Sequence, residues 1–223
     1  MTTPAPIDPF IAPPCTDQIE ILYEDEHLLL INKPSGLLSL SGKHPANKDS
    51  VHFRLVQDYP TALMVHRLDL GTSGIMVIAL SKTINAQLCK QFSDREVSKT
   101  YTALLDGHIA LNKGVIDAAI AKDDFPLQKI CNQTGKKAQS QFKVIERLTQ
   151  PFCSRVVFTP LTGRTHQLRI HSQHLGHNIL GCDLYGNDKT RLKAQRLMLH
   201  ATTLNFIHPA TGQKINGLCP CPF

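Results

Sequence analysis

Three short segments hold most of the side chains that could do chemistry. The first is Val65-His66-Arg67-Leu68-Asp69-Leu70-Gly71-Thr72-Ser73-Gly74. It sets a carboxylate, Asp69, between a cation and a tight Gly/Thr/Ser turn, just before the apolar run Ile75 to Leu80. An acid at the mouth of a buried strand either satisfies a structural ion pair or has a chemical task. The second segment, Lys99-Thr100-Tyr101, adds a phenol. The third, Thr162-Gly163-Arg164-Thr165-His166-Gln167-Leu168-Arg169-Ile170-His171, adds guanidinium and imidazole groups. Together they favour the chemical reading of Asp69.

Arg164 and Arg169 are five residues apart, so on a helix they point in different directions. One can face the acid while the other faces solvent or phosphate. Tyr101, by its strand context alone, is a half-buried packing residue and gains a functional reading only beside the other two segments. There is no Gly-x-Gly-x-x-Gly after a strand, no Gly-x-x-x-x-Gly-Lys-Ser/Thr loop and no Gly-x-Ser-x-Gly elbow. A cofactor-free reaction centred on an acid fits what remains. His166, His171, His174 and His177 fall within twelve residues, but spacings of 5, 3 and 3 do not bring three ligands to one helical face. No metal is expected.

The elements that must hold these segments follow from periodicity. Short strands are expected at Ile19 to Tyr23 and His27 to Asn32, stopped by Lys33-Pro34-Ser35-Gly36. Asp49 or Ser50 caps a helix with Val51, Leu55 and Tyr59 at fourfold spacing, ended by Pro60. Ser81 caps a second helix with Ile84, Leu88 and Phe92 on one face. Lys99 to Ile109, Ser140 to Leu148 and Arg155 to Thr159 read as strands. Residues 110–138 read as loop-rich. Thr165 caps a helix to Leu175, closed by Gly176. Leu197 to Leu218 reads as a hairpin around His208 to Gly212. Many strands with a few inserted helices imply an α+β fold with a mixed, mostly antiparallel sheet.

Composition narrows the class. The chain of 223 residues is 42% hydrophobic and 19% charged, as for a globular domain rather than a disordered one. Its apolar runs are too short to cross a bilayer, and its start lacks the features of a secretory signal, so a cytoplasmic protein without a membrane partner is expected. Residues 1–18, with Pro4, Pro6, Pro9, Pro13 and Pro14, read as a flexible tail, and residues 19–223 as one catalytic domain. Seven cysteines without an export signal read as free thiols, with Cys219 and Cys221 as two unpaired surface thiols. The net charge of +6 suits a polyanion partner.

The segments YEDEHLLLINKPSGLLS, VHRLDLGTSGIMVIAL, SKTYTALLDG and PLTGRTHQLRIHSQHLGHNILGCDLYG, in this order, resemble the RluA family of pseudouridine synthases. The likeness runs from about Ile19 to the C-terminus. The subgroup it favours acts on large-subunit rRNA and on the tRNA anticodon stem-loop and has no S4 RNA-binding domain. The resemblance implies an α+β catalytic domain with flanking helices around a central RNA-binding cleft. It implies catalytic Asp69, Tyr101 packing on the target base and serving as general base, and Arg169 paired with Asp69. Arg67 is implied to help flip the target uridine, and His66, Thr72, Arg164 and His166 are expected to bind substrate with it. The implied partner is a stem-loop of rRNA, tRNA or both, engaged by a monomer with no cofactor. Two other classes stand beside this one. A non-catalytic RNA-binding protein on the same scaffold is disfavoured because Asp69, Tyr101 and Arg169 are all present. A glycoside hydrolase is disfavoured because it usually needs two carboxylates, and one is evident.

Overall fold

Two serines start helices where the spacing places them. The computed structural model describes residues 10–223. Ser50 Oγ accepts from the Phe53 N–H at 3.1 Å and opens α1, Val51–Asp58. Ser81 Oγ accepts from the Ile84 N–H at 3.3 Å and opens α2, Lys82–Asp94. Each bond satisfies a donor that the first helical turn leaves without a partner.

The strands form one ten-stranded sheet. They are β1 (Glu20–Glu24), β2 (Leu28–Lys33), β3 (Leu63–Met64), β4 (Ser73–Ala79), β5 (Ser98–Asp106) and β6 (Lys113–Asp117), with a separate pair, β7 (Ile120–Lys122) and β8 (Gln128–Ile130). Then come β9 (Gln139–Thr149), β10 (Phe152–Pro160), β11 (Leu199–Ile207) and β12 (Lys214–Leu218). The main order is β1-β2-β4-β11-β5-β10-β9-β6, with β12 on β11 and β3 on β4. Every pairing is antiparallel except β4 with β11, which run parallel where Ser73 meets His200. The α+β, mostly antiparallel architecture is therefore as the sequence implies.

That single parallel seam matters most. Both faces of β4 are buried along its whole length, which is why it reads as a continuous apolar run. One core gathers β2, β4, α1 and α2; the other gathers β5, β9, β10 and α3, Gln167–His174. Tyr101 packs against both. At the seam Gly74 takes φ +112°, and a Cβ there would stand 2.2 Å from the Ala201 carbonyl oxygen. Only glycine permits both the backbone conformation and the approach.

Several expectations change. Residues 110–138 hold β6, β7 and β8, strands too short to show a period. A short helix, α4 (Asp188–Leu192), went unforeseen. Residues 1–9 of the Pro-rich tail lie outside the described residues. Farther along it, the Ala12 N–H donates to Asn47 Oδ1 at 2.8 Å and Cys15 packs against the first core, so this part is docked. Cys219 is buried in that core instead of lying on the surface. No helix among the described residues is long and apolar enough to cross a membrane.

Candidate active site

Asp69 stands in a loop whose carbonyls from Leu68 to Gly71 are all occupied. The Leu68 carbonyl accepts from Ser39 Oγ at 2.7 Å, and that of Asp69 from the Thr72 N–H at 3.1 Å. The Leu70 carbonyl accepts from the Gly36 N–H at 2.8 Å and from Lys33 Nζ at 3.1 Å. The Gly71 carbonyl accepts from Ser35 Oγ at 2.7 Å. Four consecutive peptide groups are thus clamped by the 33–39 segment and by the turn itself. This loop enters β4, so the half-buried Asp69 side chain sits on a fixed backbone at the parallel seam.

The groups around it come from separate elements. Tyr101 (β5), Arg169 (α3), His166, Tyr185 and Lys33 (β2) all feel the Asp69 charge. The three sequence segments therefore converge. Burial, reinforced by Asp69, pushes the Tyr101 phenol well above its ordinary value, so it is neutral in the free protein. Burial pulls the fully enclosed Lys33 ammonium down to about 7, with Asp69 opposing that change.

The expected pairing of Arg169 with Asp69 takes a different form. Arg169 is buried, and its ion pair is with Asp183. Its Nε and Nη2 also donate to Cys182 Sγ at 3.4 and 3.3 Å, and its guanidinium lies 5.3 Å from the Tyr185 ring centroid. Asp69 acts on it only as a nearby charge. The loop after α3 brings Cys182, Asp183 and Tyr185 closer to the guanidinium than the β4 loop brings Asp69.

The helix carrying Arg169 starts one residue later than its Thr165 cap predicts. His166 is the N-cap, with φ +56° and no side-chain capping bond. Gln167 does the work instead: its Oε1 accepts from the Arg164 N–H at 3.0 Å and from Thr162 Oγ1 at 2.7 Å. Its Nε2 donates to Ser140 Oγ and to the Gln139 carbonyl, tying the turn to β9. The left-handed backbone at His166, a strain of about 1–3 kcal/mol for such residues, brings its Nδ1 to 2.7 Å from Tyr185 Oη.

The other expected substrate residues divide by exposure. Arg67 is exposed beside Asp69. Arg164 is half-buried, its Nε donating to the Lys137 carbonyl at 3.0 Å. Thr72 is buried beneath the turn. His66 Nε2 accepts from the Val77 N–H at 3.1 Å and its ring stacks on Phe92 at 4.7 Å. Burial and Lys99 pull this imidazole down to about 3, so it is a neutral brace for β4. Lys99 in turn lies 5.5 Å from the Phe92 ring centroid, beside Gly163. Two of the other clustered histidines go to separate partners: His171 to Ser140 and the Ala118 carbonyl, His177 to the Asp106 carbonyl. Lys33, Asp183 and Tyr185 are not singled out by sequence reasoning, although the motif stretches INKPSG and GCDLYG contain them.

A family model for RNA pseudouridylate synthase matches residues 27–174. The "Dual-specificity RNA pseudouridine synthase RluA" of Yersinia pestis is 45% identical over 205 residues, covering 91% of this chain and 99% of that protein. The protein of that name from Escherichia coli K12 is 44% identical over 213 residues, covering 95% and 97%. Among solved structures, "Human RNA Pseudouridylate Synthase Domain Containing 1" superposes with a TM-score of 0.80 at 30% identity, covering 95% of this chain and 86% of that one. With a family model matched over residues 27–174 and relatives matched almost end to end, the chain belongs to the RNA pseudouridylate synthase family.

Proposed function

We propose that this chain isomerises a specific uridine to pseudouridine in a stem-loop of large-subunit rRNA, of a tRNA anticodon arm, or of both. It does so as a cytoplasmic monomer. The two relatives' dual-specificity name supports the breadth of substrate. The observation that carries the reading is Asp69 itself: a carboxylate on a clamped loop, ringed by Arg169, Tyr101 and His166.

The reaction breaks the N1–C1′ bond of uridine, turns the base and joins C5 to C1′. One proton leaves C5 and one is gained at N1, so the balance closes without oxidant or cofactor. Asp69 acts at the sugar–base junction, as carboxylates do in glycosyl chemistry. Arg169 holds positive charge beside it. Tyr101 offers a neutral face on which the turned base packs. The exposed Arg67 occupies the stack in place of the extruded base, whose unstacking costs a few kcal/mol. His66 and Thr72 support the loop from beneath, while Arg164 and His166 line the approach of the RNA. A loop nucleotide is the cheapest to extrude, which favours stem-loop substrates.

The test is tritium release from stem-loop RNAs labelled at uridine C5. Release with formation of pseudouridine is expected from at least one rRNA or tRNA stem-loop. Tight binding without release would instead favour a non-catalytic RNA-binding protein on this scaffold.

A further inference from the structure

Lys99 differs from every other lysine or arginine that is buried or half-buried among the described residues. Each of the others donates to an oxygen: Lys33 to two carbonyls, Arg54, Arg155 and Arg169 to carboxylates, Arg164 to a carbonyl and Arg196 to Ser73 Oγ. Lys99 is half-buried at the start of β5, and its Nζ has no hydrogen bond and no ion pair among the described residues. It faces the Phe92 ring, 5.5 Å to the centroid, and the bare Cα of Gly163, where an added Cβ would stand 3.7 Å from Nζ. Burial lowers its pKa from the ordinary lysine value, and no carboxylate opposes the change. His66, the imidazole that feels its charge, is neutral and supplies no counter-charge.

The strand pleat sets Lys99 beside the site. Side chains two apart on a strand share a face and stand about 7 Å apart, so Lys99 and Tyr101 look the same way. Thr100 and Thr102 turn to the other face, where their hydroxyls meet those of Thr203 and Thr202 on β11 at 2.7 Å each. Gly163 precedes the turn into α3, and its N–H makes no hydrogen bond among the described residues. An ammonium and a peptide N–H on a residue without a side chain are donors suited to an anion.

We propose that Lys99 and the Gly163 backbone form a subsite for one phosphodiester flanking the extruded uridine, whose base packs on Tyr101. This rests on the functional reading given above. A desolvated ammonium without a counter-charge is costly in the free protein. A phosphate oxygen supplies that charge and turns the cost into a charge-assisted hydrogen bond. The pleat spacing between Lys99 and Tyr101 is comparable to the reach from a base to its flanking phosphate. The contact therefore forms when the base is out of its stack, and it offsets part of the few kcal/mol that unstacking costs.

The test uses the full chain and a stem-loop RNA that the wild-type protein binds. Single phosphates are made neutral as methylphosphonates, each on a 2′-O-methyl nucleotide, with the same 2′-O-methyl RNA bearing an ordinary phosphate as control. Lys99→Met keeps the aliphatic stem on Phe92. It is expected to weaken binding about tenfold and to make the salt slope shallower by about 0.7–0.9. One methylphosphonate beside the modified uridine is expected to weaken the wild type by the same factor and Lys99→Met hardly at all, since both changes remove one contact. Lys99→Arg is expected to retain most of the affinity. Wild-type affinity and slope in Lys99→Met, or equal losses from every methylphosphonate in both proteins, would overturn the proposal. If Lys99→Met proves unstable, Gly163→Ala gives the same reading, because only Lys99 Nζ lies within 4 Å of its Cβ. Its methyl fills the place of the phosphate, so weaker binding and indifference to that one methylphosphonate are expected, and full sensitivity overturns the subsite. Tritium release locates the modified uridine. A bound stem-loop that releases none counts against the functional reading, while the methylphosphonate scan along the loop still decides whether Lys99 holds a phosphate.

Discussion

Lys33 Nζ donates to the carbonyl of Leu70 at 3.1 Å, the residue next to Asp69, from a side chain with no solvent exposure. A second bond, to the Pro34 carbonyl at 2.8 Å, fixes the ammonium. A lysine amine, drawn down to about 7 by burial, is thereby kept in the core at the back of the loop that presents the acid.

Lys33→Met keeps the aliphatic stem and removes both bonds. Loss of the donor beside Asp69 is expected to lower kcat about tenfold, in line with a misplaced catalytic group. Steady-state kinetics on a labelled stem-loop checks this, and unchanged kcat would show that the other carbonyl bonds hold the loop alone.

His66 predicts a pH dependence of stability. Its imidazole titrates near 3 when folded, against an ordinary 6.5. Between these values the unfolded chain binds the proton and the folded one does not. Stability from this group is therefore complete above 6.5 and is lost as pH falls towards 3, with a limiting slope of about 1.4 kcal/mol per pH unit. Urea unfolding of wild type and His66→Gln from pH 4 to 8 should show a shallower acid loss in the variant. Equal slopes would mean that His66 is not held neutral by the fold.

Gly74 predicts a stability loss. Gly74→Ala demands φ +112° of an L-residue and puts a methyl 2.2 Å from the Ala201 carbonyl oxygen. Strand β4 must move off β11, at an expected cost of about 3 kcal/mol or more. Denaturant midpoints measure it, and a cost under about 1 kcal/mol would mean the seam is pliant.

Arg67 predicts the opposite profile, because it is exposed beside the acid. Arg67→Ala should leave the melting temperature unchanged, lower kcat and weaken RNA binding, with a shallower salt dependence. An unaltered kcat in a folded variant would remove Arg67 from base handling.

How legible the molecule is varies with the length of the signal. Ser50 and Ser81 announce their helices because a cap and an apolar stripe coincide. Strand β4 is legible because both its faces are buried. Asp69 stands out because three separated segments each supply a group that suits it. Strands β7 and β8, three residues each, are too short to show a period. Lys33 reads as a strand stop, since nothing local distinguishes a buried lysine from a solvated one. The partner of Arg169 was hidden for a related reason: it lies in a loop whose approach depends on Gly181 and Tyr185, not on spacing.

The most direct measurement is C5-tritium release by Asp69→Asn beside wild type, on the same stem-loop RNA, with binding followed in parallel. The variant is expected to bind RNA with near wild-type affinity and to release no tritium above background. Release at the wild-type rate by a folded Asp69→Asn would contradict the assignment of Asp69 as the reacting carboxylate.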